Sequence, residues 1–341
     1  MKKTRFIIVP GLILIVILVM IFLGYIEAPI KGEVSDYHWS ETDVFNNETL
    51  TTFELDDEFN ILLLSDIQIG NSSKDEKVAL ALIEELVAET NPDLIITAGD
   101  NTQGPNTHFA AKRLKNFLDT LETPYALTFG NHDSEGYADR NWHGDVYESG
   151  INSLFEKGPS NIHGVGNYVI NLEKDDSLIY SFIMMDSNEY RQYEGEKVYD
   201  IIYPDQISWY EWVIAGLESS YVSEPKSLLF FHIPLIEFDT AYQAYMNGEI
   251  TEGVTGVKNE DVASSPLNGG FFDRIVARNS TTHVFNGHDH INTLSIPYQG
   301  VQLTYGLKTG PASYNMDDLQ GGTLITITED NVEVENIFII K

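Results

Sequence analysis

Leu94-Ile95-Ile96-Thr97-Ala98-Gly99-Asp100-Asn101 decides the fold: an apolar run without polar alternation stops on a glycine and two polar residues. So short a run, apolar on both faces, reads as a strand inside a covered sheet. On its N-terminal side Val78, Leu82 and Leu86 fall four apart, with Ala79, Ile83 and Val87 beside them. That is a helix with one buried stripe, and Asn91-Pro92-Asp93 ends it. Before the helix stands another apolar run, Ile61-Leu62-Leu63-Leu64, closed by Ser65-Asp66-Ile67-Gln68. On the C-terminal side a helix over 107–121 stops near Pro124, and Tyr125-Ala126-Leu127-Thr128 runs into Gly130-Asn131-His132-Asp133. Strand, helix, strand, helix, strand is the order of crossover units in a buried sheet.

Further along, strands are expected at 168–172 and 178–185, and a helix at 204–217 with Pro204 at its start. A strand at 228–231 ends on His232, one at 282–285 leads to Gly287-His288-Asp289-His290, and short strands continue to Ile340. Residues 134–166 and 237–268 are too long for ordinary connections and read as lids or walls. Trp142, His143, Tyr147, Tyr242 and Tyr245 are candidates to line a substrate there, with ordinary packing as the plainer reading. The expected architecture is α/β: two mixed β-sheets packed as a sandwich, flanked by helices, over residues 58–341.

The charge balance narrows the partners. Against 20 Lys+Arg stand 52 Asp+Glu, a formal charge of −32 that repels a nucleic-acid backbone. A phosphate-bearing substrate would need a local positive field, which bound metal ions supply. The chain has no cysteine, which excludes disulfides, thiolate zinc sites and cysteine nucleophiles. At the N-terminus Lys2, Lys3 and Arg5 precede an uncharged run over 6–26, about 30 Å as a helix and long enough to cross a bilayer core. Residues 1–28 are therefore expected to be a transmembrane signal anchor with its basic flank cytoplasmic. Residues 29–57 would be a tether or an irregular first layer, and the rest would lie outside the cytoplasm at the cell membrane. A cleaved signal peptide and secretion is the alternative. The run is long for a signal peptide, and Gly24-Tyr25-Ile26-Glu27-Ala28 makes a poor cleavage site. No obligate protein partner is evident.

Five apolar runs end in polar clusters: Asp66-Ile67-Gln68, Gly99-Asp100-Asn101, Gly130-Asn131-His132-Asp133, Phe231-His232-Ile233-Pro234 and Gly287-His288-Asp289-His290. Taken singly, each has a bland reading. Asp66 or Asp100 alone would be a helix cap, and His232 alone a packed histidine. His288 and His290 project to one face of an extended segment, which by itself says little. Together they sit where open α/β sheets bind ligands, beyond the carboxyl ends of strands. Carboxylates, amides and imidazoles suit Zn, Mn or Fe. They are too many for one ion, and fit two about 3.5–4 Å apart that clamp an in-line displacement.

These clusters resemble the calcineurin-like metallophosphoesterase superfamily, whose pattern is Asp-x-His, Gly-Asp, Gly-Asn-His-Asp/Glu, His and Gly-His-x-His. The resemblance runs from Phe59 to the C-terminus. Phe230-Phe231-His232-Ile233-Pro234-Leu235, Gly287-His288-Asp289-His290-Ile291-Asn292, Pro204-Asp205-Gln206-Ile207-Ser208-Trp209-Tyr210 and Gly164-Val165-Gly166-Asn167-Tyr168 are similar to the Dcr2-like branch, related to purple acid phosphatases. The resemblance implies a four-layer fold and two divalent or trivalent metal ions. Asp100 would bridge the ions; Asp66, Gln68 and His290 would complete one site, and Asn131, His232 and His288 the other. His132 would act over the phosphate and Asp133 would orient it.

The chain departs from the pattern in two places. Gln68 stands where the superfamily has His, so its carbonyl oxygen binds more weakly than an imidazole, or water takes its place. That would favour Mn or Fe over Zn at the first site. Gln103 stands where purple acid phosphatases carry the Tyr that gives their colour, so no purple band is expected. The implied reaction is attack of a metal-activated hydroxide on a phosphate ester, foremost a phosphomonoester. A phosphodiesterase acting on nucleotides, lipids or envelope polymers is the enzymatic alternative. A membrane-tethered binding protein with a decayed site is the non-catalytic one.

Overall fold

The computed structural model describes residues 30–222 and 224–339. The expected signal anchor lies outside these residues. Among them no helix is long and apolar enough to cross a membrane.

The Leu94 run is a central strand. In chain order the strands are β1 (Thr51–Glu54), β2 (Phe59–Leu64), β3 (Leu94–Ala98), β4 (Tyr125–Thr128), β5 (Tyr168–Lys174), β6 (Ser177–Met184), β7 (Tyr190–Tyr193), β8 (Glu196–Tyr199), β9 (Ser227–Phe230), β10 (Thr281–Asn286), β11 (Ser295–Tyr298), β12 (Val301–Tyr305), β13 (Gly321–Ile327) and β14 (Val332–Phe338). The α-helices are α1 (Ser73–Thr90), α2 (Thr107–Thr120), α3 (Arg140–Glu148), α4 (Pro204–Ser220), α5 (Glu237–Met246) and α6 (Phe271–Arg278). One mixed sheet has the order β14-β13-β2-β3-β4, and a second has β1-β5-β6-β9-β10-β12-β11. β2, β3 and β4 run parallel, as do β6, β9 and β10.

Side-chain alternation explains the layers. Ile170, Leu172, Phe182, Met184, Leu228, Phe230 and Phe285 of the larger sheet share a core with the smaller sheet, α1 and α2. The intervening Val169, Ile183, Leu229 and Val284 face α4, α5 and α6 in a second core. Phe59 and Phe182 stack between the sheets at 5.9 Å. α1 begins where Ser72 Oγ accepts from Asp75 N and ends on left-handed Asn91. It buries Ala79, Leu82, Ile83 and Leu86; each Leu or Ile contributes ~1.5–3 kcal/mol of transfer free energy.

Residues 30–57, read from sequence as a tether or an irregular first layer, pack on the domain. They form an ordered first layer. Ile30 bridges to Ala138, Trp39 N donates to Asn161 Oδ1 at 2.8 Å, and Trp39 itself is buried. β1 pairs parallel with β5 at the sheet edge. The folded unit therefore begins no later than Ile30, earlier than the boundary expected at 58. The 134–166 stretch is a wall packed into the core: α3 buries His143 and Tyr147, so neither lines a substrate.

Candidate metal centre

The parallel strands of both sheets deliver their carboxyl ends to one place. Gly99 turns the chain after β3 with φ 82°, and a Cβ there would stand 2.6 Å from the His232 side chain. At Gly130, after β4, a Cβ would stand 2.1 Å from Asp100 Oδ1. Four non-glycine residues of the site also adopt left-handed backbone: Asp66 (φ 52°), Gln68 (φ 50°), Asp100 (φ 48°) and His288 (φ 78°). Each costs roughly 1–3 kcal/mol, and such strain gathers where side chains must be aimed.

The side chains converge around Asp100. Candidate ligand atoms of Asp100, His232 and His288 lie within 4.8 Å of one another, and so do those of Asp66, Asp100 and His290. Asp100 is common to both groups. Its Oδ1 is 3.3 Å from His232 Nε2, and its Oδ2 is 3.2 Å from Gln68 Nε2. His288 Nδ1 faces His232 Nε2 at 3.2 Å. Asp66 Oδ1 stands 3.3 Å from His290 Nε2 without hydrogen-bond geometry. Asn131 Oδ1 is buried with no partner, while its amide donates to Tyr190 Oη at 2.9 Å. His288 Nε2 is likewise unpartnered.

Backbone carbonyls behind the rings fix which atoms face inward. His232 donates from Nδ1 to the Ala98 carbonyl at 2.8 Å, and His290 from Nδ1 to the Tyr314 carbonyl at 2.9 Å. Both rings therefore turn Nε2 to the pit. Asp66 Oδ2 is held by Ser65 Oγ and by His288 N at 3.0 Å. Orphaned acceptors beside paired imidazoles are what cations satisfy, so the donor set fits metal ions.

The electrostatics agree. Burial alone would raise Asp100, but the His232 imidazolium beside it and its hydrogen bond hold the carboxyl far below the usual range. Asp66 is held well down in the same way: His290, His232 and Lys308 outweigh burial. Reciprocally, burial would lower His232, but Asp100 and then Asp66 raise it to about 9. His288 is pushed down to about 3 by burial and by the positive His232.

His132 stands at the mouth, its side chain 25% exposed, with Nε2 3.8 Å from Asp100 Oδ2. Asp133 does not orient it, contrary to expectation. The Asp133 carboxylate accepts from Gly130 N, Asn101 N and Nδ2, and Thr102 N and Oγ1, bracing two loops from below. Burial and Asp100 raise it to about 6. The partner of His132 is Glu135, whose Oε1 accepts from Nδ1 at 2.5 Å. Burial would lower His132, and the Glu135 hydrogen bond and Asp100 charge raise it.

Gln68 reaches the pit, but not with its oxygen. Lys308 Nζ donates to Gln68 Oε1 at 2.8 Å and to the Asp66 carbonyl at 3.1 Å. Lysine has donors only, so the atom it meets is the carbonyl oxygen and the amide hydrogens face Asp100 and His290. Lys308 is buried, and burial lowers it to about 8 against the opposing pull of Asp66 and Asp100.

Lys308, Glu135, Tyr190 and Tyr199 belong to no motif, and sequence reading missed them. Leu307-Lys308-Thr309-Gly310 did carry a signal, since it follows an apolar strand as the other clusters do. The β7–β8 hairpin carries Tyr190 and Tyr199, whose rings stack at 5.4 Å. Tyr199 meets His288 edge-on at 4.4 Å, and Lys197 Nζ lies 3.5 Å over the Tyr190 ring. Tyr190, Lys197 and Tyr199, with Ile236, Asp261 and Ser264, line a cleft of about 650 Å³.

Two mixed sheets whose parallel strands end on paired Asp/His clusters define a metal-dependent phosphoesterase fold. The chain belongs to the calcineurin-like phosphoesterase family, whose model matches residues 59–292. It is 29% identical over 300 residues to an Arabidopsis thaliana protein named probable inactive purple acid phosphatase 14, covering 77% of this chain and 72% of that one. It is 25% identical over 327 residues to phosphatase DCR2 of Saccharomyces cerevisiae, covering 82% of this chain and 52% of that one. Its fold is similar to a dimetal phosphatase from Danio rerio: TM-score 0.54, 11% identity, 82% of this chain and 96% of that one.

Proposed function

We propose that this protein hydrolyses a phosphate ester, foremost a phosphomonoester, at two metal ions that share Asp100. The observation that carries the reading is the membership of Asp100 in both ligand clusters. Asp66, Asp100 and His290 would hold one ion; Asp100, Asn131, His232 and His288 would hold the other. Gln68 contributes no oxygen in this arrangement, so the first site favours Mn or Fe over Zn. When bound, the cations supply an activated water and neutralise phosphate oxygens.

The chain does the rest. Ala98 and Tyr314 carbonyls hold His232 and His290 in one tautomer. Glu135 accepts a hydrogen bond from His132 Nδ1 and, with Asp100, favours the imidazolium, whose Nε2 then carries a proton to give to the leaving oxygen. Tyr190 and Tyr199 wall the cleft, which Lys197 lines together with Asp239 and Asp261. The relatives' names support a phosphatase reading, and "purple acid phosphatase" and "phosphatase" favour monoesters over diesters.

The test is turnover of p-nitrophenyl phosphate against its bis ester by metal-loaded protein. Faster release from the monoester supports the proposal, and release from the bis ester alone turns it toward a phosphodiesterase. A second reading, a binding protein without turnover, is favoured by the Lys308 hold on Gln68 and by the word "inactive" in a relative's name. Absence of turnover on both esters with metal bound selects it. We also propose, from the apolar run over 6–26 alone, that the domain is tethered outside the cytoplasm at the cell membrane. Carbonate-resistant membrane association with protease-accessible domain would support that; release into the soluble fraction would oppose it.

A further inference from the structure

The two halves of the pit are not equivalent. Around the Asp100–His232–His288 cluster, once His232 gives up its Nε2 proton as a metal ligand must, every group can accept: Asp100 Oδ1, His232 Nε2, one nitrogen of His288 and the unpartnered Asn131 Oδ1. Around the Asp66–Asp100–His290 cluster the fourth group is the Gln68 amide, which presents hydrogens. A cation there would meet three acceptors and a donor. The cause is Lys308. Its ammonium holds the Gln68 oxygen at 2.8 Å, is anchored by the Asp66 carbonyl at 3.1 Å, and is itself buried. It does two things at once: it withdraws a ligand, and it fixes a positive charge beside the carboxylate that the ion needs. Rotating Gln68 to offer its oxygen would bring two donors, the amide and the ammonium, face to face.

We propose that Lys308, acting through Gln68, makes the centre bind its two ions unequally. The Asp100–Asn131–His232–His288 side fills tightly, and the Asp66–Asp100–His290 side fills only at high metal concentration. Lys308 is here a positioning residue: it touches neither ion and acts on Gln68 and Asp66. The second ion then becomes the variable part of the centre, and occupancy follows the metal supply outside the protein. The inference rests on the metal-centre reading above and not on the identity of the substrate.

The experiment is Mn2+ binding to the purified full-length chain by equilibrium dialysis, with electron paramagnetic resonance at one and two equivalents. The expected result is one tightly bound ion with a mononuclear signal, and a second at least about tenfold weaker, the scale on which outer-shell groups act. Lys308→Met removes the ammonium and Gln68→His replaces the captured oxygen with a ring nitrogen. Each is expected to tighten the second ion and yield a spin-coupled pair at two equivalents. The second variant leaves Lys308 in place, so a folding defect in the first does not spare the idea. Equal affinities in the wild-type chain overturn it, as does an unchanged gap in a folded Gln68→His. One tight ion without turnover of p-nitrophenyl phosphate leaves this inference standing and removes the hydrolytic reading. Two equal ions with turnover do the reverse.

Discussion

Glu135 Oε1 lies 2.5 Å from His132 Nδ1, while Asp133, the carboxylate next to His132 in the chain, turns away beneath it. The two acids thus divide the work: one sets the imidazole at the mouth of the pit, the other ties the loops that form its floor.

Glu135→Gln should therefore lower kcat roughly 10- to 100-fold, the usual size of an outer-shell effect, with metal content unchanged. KM should move little, because the imidazole still meets the substrate. Steady-state kinetics beside metal analysis would check this. Unaltered kcat would mean that His132 needs no carboxylate.

Asp133 carries a different expectation. Its carboxylate accepts five hydrogen bonds, from Gly130, Asn101 and Thr102. Asp133→Ala would leave buried backbone donors without partners, at about 1–3 kcal/mol each before relaxation. The expected outcome is a fall in thermal midpoint of many degrees. A variant as stable as the parent would show that the brace is dispensable.

Acid should weaken the fold through His143. It is buried, donates from Nδ1 to the Asp139 carbonyl at 2.9 Å, and has no partner at Nε2. Burial, with Arg140 adding to it, pushes it down to about 4. In the unfolded chain it titrates near 6.5. Between those values the unfolded state binds the extra proton, so stability is full above pH 6.5 and is lost as pH falls toward 4. The loss is at most ~3 kcal/mol. Urea midpoints at both ends of the window should separate more for the wild-type chain than for His143→Gln, and identical separations would refute the assignment.

Tyr190→Phe tests the hairpin. It deletes the hydroxyl that accepts from Asn131 Nδ2 and leaves the ring on Tyr199. The freed amide should cost the Asn131 side of the centre about tenfold in metal affinity. Isothermal titration with Mn2+ would read it, and an unchanged affinity would confine Tyr190 to walling the cleft.

Much of this site is legible in the sequence because it lies at the ends of apolar strands. Asp66, Asp100, Asn131, His232, His288 and His290 each follow such a run, and parallel pairing brings those ends together. β3 and β4 were readable nearly to the residue, since two-sided burial leaves no polar position to confuse the pattern. What escaped has no local period. β1, at a sheet edge with its burial alternating between half-buried and exposed, hid in a polar segment. The β7–β8 hairpin is polar on both faces and takes its meaning from the pit it leans on. Lys308 and Glu135 matter through one hydrogen bond each across the fold, to Gln68 and His132. Asp133 misled for the opposite reason: adjacency in the chain suggested contact, and the turn after β4 sends the two side chains apart.

The sharing of Asp100 between two clusters is the central claim, and metal content at saturating Mn2+ tests it most directly. Asp100→Asn should empty both sides, while Asp66→Asn should empty one and leave one ion per chain. If Asp100→Asn retained a tightly held ion while remaining folded, the two clusters would not depend on a common carboxylate and the account would be contradicted.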